Sequence, residues 1–149
     1  MLLQQGDPAP DFIAEDHLGN THALRDYEGR TVVLWFYPRA DTPGCTAEGC
    51  GFRDNYDEFK RLDAVILGVS FDTAADNAAF ATKYGFPFPL LCDLGRELGL
   101  AYGACDDPFA TSARRIAAVI APDGTIQEFH NAVNARTFPA ELAARLSGG

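Results

Sequence analysis

The sequence predicts an α/β fold, a central mixed β-sheet flanked by helices. Three observations carry that prediction. Thr31 to Tyr37 (TVVLWFY) and Ala64 to Phe71 (AVILGVSF) are continuously apolar or β-favouring, the pattern of strands buried on both faces. Thr42 to Leu62, which lies between them, repeats its aromatic residues at helical spacing, with Phe52, Tyr56 and Phe59 on one face. Ile116 to Ala121 and Ile126 to Asn131 flank Pro122-Asp123-Gly124-Thr125, a hairpin turn. Strands joined through a helix run parallel, and strands joined by a tight turn run antiparallel, so the sheet is mixed.

The remaining elements follow in order. Pro8 and Pro10 mark an extended start. Asp11 to Leu24 reads as two short strands around Leu18-Gly19-Asn20. The strand over Thr31 to Tyr37 is ended by Pro38. Thr42 suits the N-cap of the next helix, and Pro43 suits its first turn. A further helix spans Ala74 to Tyr84, stopped by Gly85 and Pro87, and a short one covers Leu94 to Tyr102. The last helix runs from Pro139 to Leu146. No repeat, low-complexity tract or linker divides the chain, so residues 1–149 read as one domain.

Composition bounds the function. At 149 residues, the chain has about one domain's length and can bury roughly 68–70% of its unfolded surface. Twelve Lys and Arg against 21 Asp and Glu give a net charge of −9. That charge argues against nucleic acid or an anionic membrane as partner, because both need clustered positive charge. No apolar run approaches the ~18 residues of a membrane span. Met1 to Pro10 lacks the charged and apolar regions of a signal peptide, which points to the cytoplasm. Thiols stay reduced there, so the four cysteines are expected to be reactive, metal-bound or buried rather than structural bridges.

The chemistry concentrates in Pro38 to Cys50 (PRADTPGCTAEGC), just past a buried strand, at the carboxyl edge where α/β sheets place their sites. With Thr42 as cap, Cys45 stands in the first helical turn, where unpaired N–H groups and the helix dipole favour a thiolate. Gly44 is expected to leave room beside the sulfur for a small reactant. Cys50 follows five residues later, about 140° around the helix and roughly 8.7 Å away by Cα. A disulfide needs about 4.4–6.8 Å, so bridging the pair requires the helix to unwind. Gly49 and Gly51 weaken it by about 0.8–1.0 kcal/mol each. There is no CxxC motif, and the C-x4-C pair with distant Cys92 and Cys105 does not follow structural zinc spacing. Neither a metal nor a cofactor is expected. Cys92 and Cys105 read as incidental, and His17, His22 and His130 as surface or turn residues.

Pro38, Thr42 and Cys45 form a PxxxTxxC pattern that resembles the active-site motif of the peroxiredoxins. The stretch from Phe36-Tyr37-Pro38 through Thr42-Pro43-Gly44-Cys45-Thr46, Glu48 and Cys50-Gly51-Phe52-Arg53-Asp54 is similar to the peroxiredoxin Q (bacterioferritin comigratory protein) branch. Gly6 to Phe12, Phe88 to Leu91 and Pro122-Asp123-Gly124 extend the resemblance over nearly the whole chain. The order of elements likewise resembles a thioredoxin-like core with an N-terminal hairpin added.

The resemblance implies Cys45 as the peroxidatic cysteine and Cys50 as the resolving one. It also implies a late-strand arginine, which counting back from Pro122-Asp123-Gly124 places at Arg115, with Arg114 as the other register. Ala117, Ala118 and Ala121 depart from the family's usual residues there. The implied activity is reduction of hydrogen peroxide and organic hydroperoxides, with recycling by thioredoxin or a glutaredoxin-type dithiol. The branch leans towards a monomer.

Thiolate formation alone supplies little of the rate. Lowering any thiol's pKa from about 8.5 to about 6 raises its thiolate fraction roughly 30-fold at pH 7. The same change lowers nucleophilicity roughly 13-fold at a Brønsted slope of about 0.4–0.5. The net gain is about twofold, so fixed donors on the leaving oxygen, worth about 2.7–4 kcal/mol each, must carry more. Arg115, Thr42 and the Cys45 N–H are the candidate donors. Pro38 is expected to shield the sulfur and Glu48 to hold the arginine. Two rivals stay open: a thioredoxin-fold disulfide reductase or isomerase, and a redox sensor that oxidises without turnover.

Overall fold

The structure, a computed structural model, describes residues 2–148. The order is β1 (Ile13–Glu15), β2 (Thr21–Ala23), a 3₁₀ turn (Leu24–Tyr27), β3 (Thr31–Phe36), α1 (Pro43–Asp54), α2 (Tyr56–Arg61), β4 (Ala64–Ser70), α3 (Ala74–Tyr84), β5 (Leu90–Cys92), α4 (Glu97–Tyr102), β6 (Ala117–Ile120), β7 (Ile126–His130) and α5 (Phe138–Gly148). β1 and β2 form a separate antiparallel hairpin. The main sheet has the order β5-β4-β3-β6-β7. β3, β4 and β5 run parallel, whereas β6 is antiparallel to β3 and to β7. The fold class predicted from the sequence is the one observed.

β3 shows why its sequence is apolar throughout. Val33 and Trp35, with Tyr37 just beyond, join Phe52, Phe59, Phe80 and Leu142 in a core on one face of the sheet. Val32, Leu34 and Phe36 join Leu98, Tyr102 and Ile116 on the other. Strand alternation sends every side chain of β3 after Thr31 into one core or the other.

Two helices differ from the sequence reading. Thr42 to Leu62 is not one helix but two, α1 and α2, broken at Asn55. The Asn55 side chain donates to Gly51 O (2.8 Å), the local competition that makes Asn a poor interior helix residue. The helix expected from Leu94 begins only at Glu97. The buried Asp93 carboxylate accepts the Leu98 and Gly99 amides at 3.1 and 2.7 Å, and Arg96 turns into the left-handed region with φ 60°. These contacts fix a turn over residues 94–96 before the helix can start.

The sheet's architecture positions the site. β3 runs towards Phe36, and α1 begins just beyond it. β6 enters from the opposite direction, with Ala117 opposite Trp35 and Phe36 N donating to Ile116 O at 2.9 Å. Residues just before β6 therefore arrive at the edge from which α1 departs.

Candidate active site

Cys45 is the third residue of α1 and is fully buried. The first bond of the ladder runs from Thr46 N to Thr42 O (2.8 Å), so the Gly44 and Cys45 amides lie at the unpaired, positive end of the helix. Thr42 holds the N-cap position, but its side chain makes no cap bond. Its hydroxyl donates instead to Arg39 O (2.8 Å) and ties the loop before the helix into a turn. The expected side-chain cap is therefore corrected, and the hydroxyl's proton is already committed within the loop. Pro38 is half-buried in the bend that follows β3.

Of the two arginines the sequence offered, Arg115 is the one beside Cys45. Its Nη2 donates to Cys45 Sγ at 3.5 Å, and its Nη1 donates to Glu48 Oε1 at 2.9 Å. Arg114 points elsewhere, to Asp106 and Gly103 O. The guanidinium thus bridges a thiol and a carboxylate one helical turn apart on α1. Burial works to lower the Arg115 pKa, but Cys45 and Glu48 raise it above the usual arginine value.

Glu48 is not an ordinary helical surface acid. It is fully buried, and its Oε2 has no hydrogen-bond partner. Burial pushes its pKa from 4.5 up to about 7, against the pull of Arg115. Burial thus works against the ion pair that its carboxylate makes with Nη1.

Gly44 plays a different part from the one expected. A Cβ there would lie 2.8 Å from Arg115 Nη2. The space it leaves is occupied by the guanidinium, and its bare backbone lets the cation reach Sγ. The Arg115 side chain keeps 22% of its surface exposed, whereas Cys45 has none. A reactant therefore reaches the sulfur only when the groups covering it shift.

Cys50 is a half-buried free thiol farther along the same unbroken helix, packed at the margin of the core that holds Cys45. Cys92 ends β5. It accepts a bond from Asn77 Nδ2 (3.4 Å), and burial, with Asp16, Asp72 and Glu15 nearby, pushes its thiol pKa up. Cys105 is buried against α4, and a Cβ on Gly99 would sit 3.1 Å from its sulfur. Burial raises this thiol too.

Several contacts were not read from the sequence. Asp41, in the left-handed region at φ 59°, accepts from Lys83 Nζ (2.9 Å) and Tyr84 OH (2.8 Å). Asp72 accepts the Ala40 amide at 2.8 Å, and Tyr37 OH donates to Asn77 Oδ1 at 2.6 Å. The loop leading to Cys45 is therefore fastened to α3. Asp41 carries one weak signal, since Asp tolerates that backbone region; its partners lie some forty residues away and carry none. His22 also departs from expectation. It is half-buried between the buried Asp16 (2.7 Å) and Tyr27 OH (2.5 Å) and pins the N-terminal hairpin.

The chain is similar to known proteins over most of its length. The AhpC/TSA family signature matches residues 5–129. A chloroplastic peroxiredoxin Q of Triticum aestivum is 40% identical over 129 residues, which is 87% of this chain and 59% of that protein. The chain thus spans about six-tenths of the length of that relative. Among solved structures, the peroxidoxin BcpB of Mycobacterium tuberculosis superposes with a TM-score of 0.89 at 30% identity, covering 98% of this chain and 97% of that one. A peroxiredoxin Q mutant of Xylella fastidiosa superposes with a TM-score of 0.92 at 26% identity, covering 99% and 98%.

Proposed function

The chain belongs to the AhpC/TSA family, in its peroxiredoxin Q branch, and from that premise we propose that it is a thiol peroxidase acting on hydrogen peroxide and organic hydroperoxides. The observation that carries this reading is the 3.5 Å contact between Arg115 Nη2 and Cys45 Sγ at the start of a helix. A fixed cation meets the sulfur at the positive end of a helix, where negative charge growing on a departing oxygen is stabilised.

The cycle has three steps. The Cys45 thiolate attacks one peroxide oxygen, the O–O bond breaks, and the other oxygen leaves as hydroxide or alkoxide and takes a proton. Cys45 becomes a sulfenic acid. The Cys50 thiol then attacks that sulfur, forming the Cys45–Cys50 disulfide and releasing water. Thioredoxin or a glutaredoxin-type dithiol reduces the bridge by two exchange steps, leaving both thiols restored and the donor oxidised. Arg115 serves the first step as donor and electrostatic anchor, and Glu48 holds Arg115 in place. Pro38 and Thr42 shape the approach, Thr42 through the turn it closes with Arg39.

The second step needs α1 to open. The helix is continuous through Cys45 and Cys50, and the ideal separation of roughly 8.7 Å exceeds disulfide reach. The cycle starts from free thiols and so belongs in a reducing compartment such as the cytoplasm. Among the described residues, no helix is long and apolar enough to cross a membrane. We read the protein as a monomer in antioxidant defence.

The test is peroxide consumption with a thioredoxin system supplied. Many turnovers per protein are expected. Consumption that stops at one equivalent would make Cys45 a sensor, and reduction of insulin disulfides without peroxide would make the protein a disulfide reductase.

A further inference from the structure

The backbone around Cys50 is covered on both sides by rings from other elements. A Cβ at Gly49 would lie 2.9 Å from Phe86 Cε2 and closer still to Cζ. A Cβ at Gly51 would lie 2.8 Å from Pro139 Cγ. These glycines do more than loosen the helix, because they let Phe86 and Pro139 lie directly on its backbone. Phe86 is itself fixed, stacked on Phe88 (5.2 Å) and edge-on to Phe80 (4.9 Å).

Phe86 belongs to a turn that also touches the other parts of the site. Gly85, at φ 65°, ends α3 and reverses the chain there. Tyr84 O accepts from Arg53 Nη1 (2.7 Å), three residues beyond Cys50. Tyr84 OH donates to Asp41, in the loop before Cys45. One short turn thus grips α1 at Gly49 and at Arg53, on either side of Cys50, and grips the loop that delivers Cys45.

We propose that the turn Tyr84–Gly85–Phe86 is a latch on α1 that sets how fast the helix opens around Cys50, and so how the Cys45 sulfenic acid divides between disulfide and overoxidation. The proposal rests on the peroxidase reading above. Two reactions compete for the sulfenic acid. Cys50 attacks it, giving a disulfide and water, or a second peroxide oxidises it, giving a sulfinic acid and water or an alcohol. The first requires α1 to leave Phe86 and Tyr84, and the second does not. Tyr84 and Phe86 are positioning residues that act through α1 without touching the reacting atoms.

The test compares Phe86→Leu and Tyr84→Phe with the parent protein, each fully reduced. The first variant loosens the ring contact; the second removes the bond to Asp41 and keeps the fold if the first does not. Hydrogen exchange of the amides of residues 46–54 reads the opening without any chemistry. Quenched mass spectrometry after one equivalent of hydrogen peroxide reads sulfenic acid and disulfide separately, and excess peroxide reads the sulfinic fraction.

The latch predicts exchange and disulfide formation faster by roughly fivefold or more in Phe86→Leu, and by less in Tyr84→Phe. The sulfinic fraction falls in both, and the rate of sulfenic acid formation is unchanged in Phe86→Leu. Unchanged exchange and unchanged disulfide rate in a folded variant overturn the latch, as does an equal change in both chemical steps. Faster exchange in a chain that consumes no peroxide supports the latch as an opening device and removes the peroxidase reading instead.

Discussion

Cys45 and Cys92 both lie at the carboxyl edge of the parallel part of the sheet, one beyond β3 and the other at the end of β5. Cys45 begins a helix and faces the Arg115 guanidinium at 3.5 Å. Cys92 begins nothing, accepts one bond from Asn77, and is surrounded by Asp16, Asp72 and Glu15, which together with burial push its thiol pKa up. Position in the fold is shared; the sign of the surrounding charge is opposite. A cation faces the first sulfur, and carboxylates oppose a thiolate at the second. The two thiols at this edge therefore differ in which charges the loops and helices bring there.

The largest break in that comparison is to exchange the sulfurs one at a time. Cys45→Ser should reduce peroxide consumption to background, and Cys92→Ser should change kcat/KM by about twofold or less, measured in the same coupled assay. Next comes Arg115→Ala, which should lower kcat/KM at least about tenfold, towards the roughly 10² seen when an oxyanion donor is removed. Its circular dichroism should match the parent, and unchanged kinetics would remove Arg115 from the reaction.

Gly44→Ala tests the contact without deleting the cation. The added Cβ would meet Arg115 Nη2 at 2.8 Å and displace the guanidinium from Sγ, so a loss of roughly threefold to tenfold is expected. Stopped-flow oxidation of the reduced variant measures it.

The smallest effect concerns Glu48. Its pKa rises from 4.5 to about 7 on folding, so between those values the folded state binds more protons than the unfolded one. Stability from this group therefore falls as pH rises through that window and is flat on either side. Glu48→Gln should remove that slope in urea titrations between pH 4.5 and 7. An identical slope in the variant would mean that Glu48 does not titrate there.

Much of this was legible in the sequence because it is local. The buried strands over Thr31 to Tyr37 and Ala64 to Phe71 declare themselves by unbroken apolar runs. Ala74–Tyr84 is bounded as read, because Thr73 accepts from Asp76 N at its start and Gly85 takes the left-handed turn at its end. The placement of Cys45 in a first helical turn follows from Thr42-Pro43. What could not be read depends on where single side chains turn and, at the site itself, on partners distant in sequence. The pairing of Glu48 with an arginine was expected, but its complete burial beside Arg115, 67 residues on, has no local mark. Gly44 looks like open space until the same guanidinium fills it. The break at Asn55 turns on where one side chain sends its donor, and His22 looks solvent-facing until Asp16 and Tyr27 close around it.

The central claim is that Cys45, under Arg115, meets the peroxide and that Cys50 resolves it. The most direct test is a peptide map of fully reduced protein after one equivalent of hydrogen peroxide, digested without reductant. The account predicts a Cys45–Cys50 crosslink with Cys92 and Cys105 still free thiols. A crosslink through Cys92 or Cys105, or a sulfenic acid on Cys92 with Cys45 untouched, would contradict it.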